Sequence, residues 1–166
     1  WTQAQSDFAL ATINKYPDHD KIRNYLNNIY SFEAANYFGI VSRPGILFAY
    51  KDAPPKQQPL IITLSVSADT SSAKVVFDPS AYDTTGQTAV DWFVPSLDGR
   101  LVAMSLSKNG SEDGSLYIFE TATGRQLPDV IPRVQFPTAG GSVSWNADNS
   151  GVYYTRFPAP GEKSGD

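Results

Sequence analysis

Residues 92–119, WFVPSLDGRLVAMSLSKNGSEDGSLYIF, decide the fold. An apolar run of Val90, Trp92, Phe93 and Val94 meets the turn signal Ser96-Leu97-Asp98-Gly99. A second apolar run fills 101–106, a polar loop follows, and a third run occupies 116–119. Three strands joined by tight connections make a meander, and a meander this short buries both faces only against neighbours of its own kind. One neighbour is visible downstream. Residues 145–154, WNADNSGVYY, repeat apolar strand, Asx-Gly turn and apolar strand, with Asp148 fifty positions after Asp98. A fainter copy lies upstream, where Pro44-Gly45 opens the run Ile46-Leu47-Phe48-Ala49-Tyr50. A period of about 50 residues with four-strand content is the sequence pattern of a β-propeller blade.

The chain has 166 residues. At about 50 residues per blade it holds two blades and the start of a third, fewer than the roughly four of the smallest closed propellers. The expected fold is therefore mainly β: a partial propeller of two to three blades, part of a larger body.

The remaining sequence bounds the function. Thirteen Lys and Arg stand against seventeen Asp and Glu, a net charge of −4, and the basic residues are scattered without a stripe, which argues against nucleic acid as a partner. No apolar run approaches the roughly 18 residues of a membrane span, so a soluble chain is expected, with the cytoplasm and a periplasm both open. The absence of cysteine excludes a disulfide framework, a Cys-zinc site and a thiol nucleophile from these residues.

Residues 1–31 differ in kind from the rest. Residues 1–15 have helical composition, and Tyr16-Pro17 ends them, since the residue before proline avoids the α region. Asp18 or Asp20 can cap a second helix whose Ile22, Tyr25, Leu26, Ile29 and Tyr30 fall on one face. After Ser31 the period changes. Residues 36–41 and 46–51 read as a hairpin, 60–66 and 73–77 as two further strands, and Asp78-Pro79 as a stop. The boundary expected is thus 1–31 for a helical segment and 32–166 for blades.

Catalytic groups are sparse. A nucleophile elbow needs G-x-S-x-G between strand and helix, and Gly140-Gly141-Ser142-Val143-Ser144 lacks the last glycine and precedes a strand. His19, the single histidine, sits in a polar helix junction and reads as solvated or capping. Glu112 and Asp113, the adjacent acids of the β region, read as a solvated loop without metal-ligand spacing, and no cofactor is expected. Asn109-Gly110-Ser111 is a turn that also fits a glycosylation sequon. Trp92, Trp145, Tyr153 and Tyr154 read as residues buried between blades.

The run LPDVIPRVQF at 127–136, with Thr123-Gly124 before it and Val143-Ser144-Trp145 after it, resembles the early propeller blades of prolyl oligopeptidases. The likeness extends back through Leu106-Ser107, Gly110-Ser111, Asp98-Gly99, Phe77-Asp78-Pro79 and Gly86 to Tyr30, Tyr16-Pro17, Gln5 and Trp1. The resemblance implies a serine peptidase several times this length, with an α/β-hydrolase domain capped by a seven-bladed propeller. Residues 1–31 would then pack on the peptidase domain, residues 32–166 would be the first blades, and the Ser, Asp and His would lie beyond Asp166. It further implies that Phe136 lines the S3 side of the substrate pocket. Glu112, or its neighbour Asp113, would pair with an arginine of the catalytic domain. Substrates would be short peptides cleaved after proline, and the propeller would limit access to the site.

Two other readings stay open: an oligopeptidase B-like enzyme cleaving after basic residues, and a non-catalytic propeller that binds proteins. Open blade edges predict that the isolated chain pairs with copies of itself.

Overall fold

The computed structural model describes residues 1–31, 34–135, 141–158 and 161–162. The chain divides into two compact units, Trp1–Ala34 and Ala35–Asp166.

The first unit is a helix pair, α1 (Thr2–Ile13) and α2 (His19–Tyr30), interrupted where Tyr16-Pro17 denies the chain a helical continuation. Asp18 occupies the N-cap of α2; its carbonyl accepts from the Ile22 amide at 2.9 Å, but its carboxylate caps nothing. Ile22, Tyr25, Leu26 and Ile29 line one face of α2, and all four stay exposed. With Ile13 and Tyr16 from the α1 side, Ile22 and Leu26 border an apolar groove of about 570 Å³. Among the described residues no helix is long and apolar enough to cross a membrane.

The second unit is built of antiparallel sheets whose strands follow in chain order. The first sheet is β1 (Asn36–Arg43), β2 (Ile46–Asp52), β3 (Leu60–Leu64) and β4 (Lys74–Phe77). The second is β5 (Thr88–Pro95), β6 (Leu101–Lys108), β7 (Ser115–Glu120) and β8 (Gln126–Ile131). Strands β9 (Ser142–Trp145) and β10 (Val152–Thr155) form a third, two-stranded sheet among the described residues. Between β4 and β5 the short helix α3 (Pro79–Tyr82) starts on Asp78, whose carboxylate accepts from the Ser80 amide at 3.0 Å, with proline at its first turn. Residues 126–131 form a strand despite Pro128. Pro128 is tolerated because β8 is the edge of its sheet, where a missing ladder donor costs nothing.

The fifty-residue repeat is written in hydrogen bonds. In the β5–β6 turn, Ser96 N donates to Leu101 O, Gly99 N to Ser96 O, Arg100 N to Asp98 Oδ1, and Leu101 N to Ser96 Oγ, at 2.9 to 3.1 Å. In the β9–β10 turn the same four bonds recur with every number raised by fifty. Asn146 N donates to Gly151 O, Asn149 N to Asn146 O, Ser150 N to Asp148 Oδ1, and Gly151 N to Asn146 Oδ1. Both turns need a left-handed residue at the same place, Gly99 with φ 72° and Asn149 with φ 60°, and Gly and Asn are the residues that accept it. The β1–β2 copy is fainter in sequence because Pro44-Gly45 closes it as a tighter turn between paired Arg43 and Ile46.

Packing explains the apolar run at 101–106. β6 is covered on both faces. Val102, Met104 and Leu106 join Phe48, Ile61, Val76, Phe77, Phe93 and Phe119 in a core shared with the first sheet, whereas Ala103 joins Leu116, Val134 and Trp145 on the other side. Each large side chain so buried contributes about 1.5–3 kcal/mol. Neighbouring sheets are also fastened by polar bonds. Arg43 Nε donates to Ser96 O at 2.8 Å, and Trp145 Nε1 donates to Val94 O at 3.0 Å.

One expectation is corrected. Tyr153 and Tyr154 are exposed, at 74% and 44%, rather than buried between blades, because β10 pairs only with β9 among the described residues. Trp145 is buried as expected.

Candidate functional site

The β5–β6 ladder is interrupted at one residue. Val90 faces Leu106 and Trp92 faces Ser105, so Asp91 has no partner across the pair and forms a β-bulge. A bulge re-aims its side chain. Here it directs the carboxylate onto β6, where Ser105 Oγ donates to Oδ2 at 2.8 Å and Ser107 Oγ donates to Oδ1 at 2.6 Å. Burial pushes the Asp91 carboxyl above its ordinary range, against the pull of these donors. The Tyr50 phenol is pushed up to about 12, first by its own burial and then by the Asp91 charge.

Gln135 Nε2 donates to Asp91 Oδ1 at 3.4 Å, and Gln135 Oε1 accepts from the Gly114 amide at 3.4 Å. The Gly114 carbonyl in turn accepts from Val134 N at 2.9 Å. The approach is close enough that a Cβ on Gly114 would run into Asp91 Oδ2 and Ser105 Oγ, so only glycine fits. Beside it, Arg133 Nε lies 3.4 Å from Asp113 Oδ1, its Nη1 donates to Pro158 O at 2.9 Å, and its guanidinium stacks on Phe157 at 4.9 Å.

The loop at 110–114 and the segment at 133–135 are therefore stapled together, with Asp91 behind them. The two acids of the loop are not equivalent. Both are exposed, but Asp113 lies within ion-pair distance of Arg133, whose Nε makes no hydrogen bond, whereas Glu112 has no ion pair among the described residues. Phe136, the other candidate, directly follows Gln135 in the chain and lies outside the described residues.

The remaining candidates have other partners. His19 bonds Asp20 at 3.0 Å. Ser142 begins β9 and shares a 2.8 Å bond with Thr155 Oγ1, in a strand and not at an elbow; Gly140, at the start of that motif, lies outside the described residues. Asn109 and Gly110, both at positive φ, make a turn after β6. The sequence reading missed Asp91, although a lone acid inside an apolar strand run is a signal of a bulge or a buried polar partner.

The family model described as the prolyl oligopeptidase N-terminal beta-propeller domain matches residues 1–166. A prolyl endopeptidase of Elizabethkingia miricola is 23% identical over 164 residues, covering 99% of this chain and 22% of that protein. Prolyl oligopeptidase A of Galerina marginata is 26% identical over 182 residues, covering 95% and 23%. Among solved structures, one from a study of two prolyl endopeptidases and their inter-domain dynamics superposes with a TM-score of 0.79 at 21% identity, over 98% of this chain and 23% of that one. Oligopeptidase B of Leishmania major superposes at 0.66 with 16% identity, over 92% and 20%. The chain thus spans less than a quarter of the length of these relatives. At such identities the structural matches establish the fold.

Proposed function

Because the chain belongs to the prolyl oligopeptidase family, as its N-terminal propeller segment, we propose that it gates and helps line the active site of a serine peptidase that hydrolyses short peptides after proline. The catalytic serine, aspartate and histidine come from an α/β-hydrolase domain outside these residues, and the helical unit, 1–31, packs on that domain through its exposed apolar face. Chemistry there is acyl transfer through the activated serine, with an oxyanion hole stabilising the tetrahedral intermediate.

The observation that carries this reading is the division of labour between Glu112 and Asp113. Asp113 is already paired with Arg133, which leaves Glu112 as the loop carboxylate available to an arginine from across the domain boundary. Phe136, the residue after Gln135 in the chain, supplies an apolar wall for the peptide. Peptide recognition is consistent with the relative prolyl oligopeptidase B of Galerina marginata, whose structures were solved with 25-residue and 35-residue substrates bound.

The test is steady-state hydrolysis of a prolyl chromogenic peptide by the polypeptide that contains this segment and the peptidase domain. Glu112→Gln lowers kcat/KM by about tenfold, the loss of one charge-assisted pair, and Asp113→Asn changes it far less. Equal effects of the two substitutions would remove the assignment of Glu112.

A further inference from the structure

We propose that Asp91 is a positioning residue for the loop that carries Glu112: through Gln135 it holds residues 110–114 against residues 133–135. The proposal rests on the reading of Glu112 given above. It deepens that reading by naming the group that fixes the loop in place, one with no contact to substrate of its own.

The geometry has three parts. Asp91 is the unpaired residue of a bulge, so its carboxylate is committed to side-chain partners rather than to the ladder. Ser105 and Ser107, almost wholly buried, fix both oxygens from β6, a strand covered on each face. Gln135, also buried, is the only described side chain that bonds both to this carboxylate and to the loop, taking one hydrogen bond to Asp91 Oδ1 and one from the Gly114 amide. The Val134 amide closes the ring by donating to the Gly114 carbonyl.

A half-buried carboxylate that accepts three side-chain donors orients its neighbours more firmly than a fully exposed one. An apolar residue at 91 would leave Gln135 without its anchor and the Gly114 amide with an unrestrained acceptor. Asparagine would keep the anchor, because its carbonyl oxygen can take the place of Oδ1 while its amide donates to Ser105 Oγ. Loosening the loop that carries Glu112 is expected to weaken substrate binding with the chemical step intact.

The experiment compares Asp91→Leu, Asp91→Asn, Gln135→Leu and the Asp91→Leu/Gln135→Leu pair in the polypeptide carrying the peptidase domain. Amide hydrogen exchange is read at Gly114 and Val134, and KM and kcat are read on a prolyl peptide. Asp91→Leu and Gln135→Leu each speed exchange at those two amides about tenfold while core amides of β6 keep their protection, and the pair does no more than either alone. KM rises severalfold with kcat within about twofold, and Asp91→Asn restores both readouts. Unchanged exchange at Gly114 and Val134, additive effects, or a fall in kcat alone would overturn the proposal. Where Asp91→Leu fails to fold, Gln135→Leu against Asp91→Asn carries the same comparison. If the unsubstituted protein hydrolyses no prolyl peptide, the peptidase reading fails while the exchange data still decide whether Asp91 holds the loop.

Discussion

Asn149 Oδ1 accepts a 2.7 Å hydrogen bond from the backbone amide of Leu97, so the turn that starts the third sheet is tied to the same turn of the second. Asn149 also occupies the left-handed position that Gly99 fills fifty residues earlier. One residue therefore meets a local conformational demand and an inter-sheet one.

Substitutions at 149 separate the two demands. Asn149→Gly keeps the turn and loses the bond, costing about 1 kcal/mol. Asn149→Ala loses the bond and strains the backbone, adding about 1 kcal/mol more. Urea midpoints are expected in the order wild type, Gly, Ala; a glycine variant no more stable than alanine would show that the backbone conformation is not the second demand.

The two tryptophans of the second and third sheets should respond unequally to the same change. Trp145→Phe leaves Val94 O without its indole donor and costs about 1–2 kcal/mol. Trp92 Nε1 is buried with no hydrogen-bond partner among the described residues, so Trp92→Phe removes an unsatisfied donor and is close to neutral. Thermal midpoints of the two variants measure the contrast, and equal losses would contradict it.

Acid sensitivity follows from the turn carboxylates. Hydrogen bonds from Ser96 and the Arg100 backbone and side chain hold Asp98 down to about 2, and the Thr85 and Thr88 hydroxyls with the Thr85 amide hold Asp83 at about 2, against an ordinary value of 3.8. A depressed carboxyl stabilises the fold above its unfolded value and loses that stabilisation as pH falls through the folded one. The stability these two supply is therefore lost between about pH 4 and pH 2. Asp98→Asn should flatten that limb of the stability–pH curve. Asp91 is raised instead, so its share runs the other way: the ionised form costs stability above its folded value, and the cost is relieved as pH falls. An acid limb unchanged by Asp98→Asn would contradict this account.

Among the described residues β10 pairs only with β9, and it carries exposed Tyr153 and Tyr154. Uncovered strand edges template further pairing, so the isolated 166-residue chain should self-associate as concentration rises, and Tyr153→Lys should weaken it. Light scattering that shows a strict monomer at high concentration would contradict this.

Much of the architecture was legible because strand and turn signals are local. Residues 90–119 gave their three strands through apolar runs and an Asp-Gly turn, and the repeat at 145–154 gave the next hairpin. What escaped depends on neighbours. β8 carries Pro128 and Asp129, which read as a loop unless the strand is known to be an edge. The exposure of Tyr153 and Tyr154 depends on which sheet follows, and their composition says nothing of that. For the site, Glu112 was visible as an acid in a loop, but its distinction from Asp113 comes from Arg133, twenty residues on and brought back by the fold. Asp91 offered a signal, a lone acid in an apolar strand run, but only the register shows that it marks a bulge and only the fold shows which side chains it meets.

The most direct test of the central claim is hydrolysis of paired chromogenic substrates, one with proline and one with arginine before the scissile bond. They are offered to the polypeptide that joins this segment to its peptidase domain, and to the 166-residue chain alone. The account predicts turnover of the prolyl substrate by the longer polypeptide, little turnover of the arginyl one, and none of either by the isolated chain. Preference for arginine, or hydrolysis by the isolated chain, would contradict it.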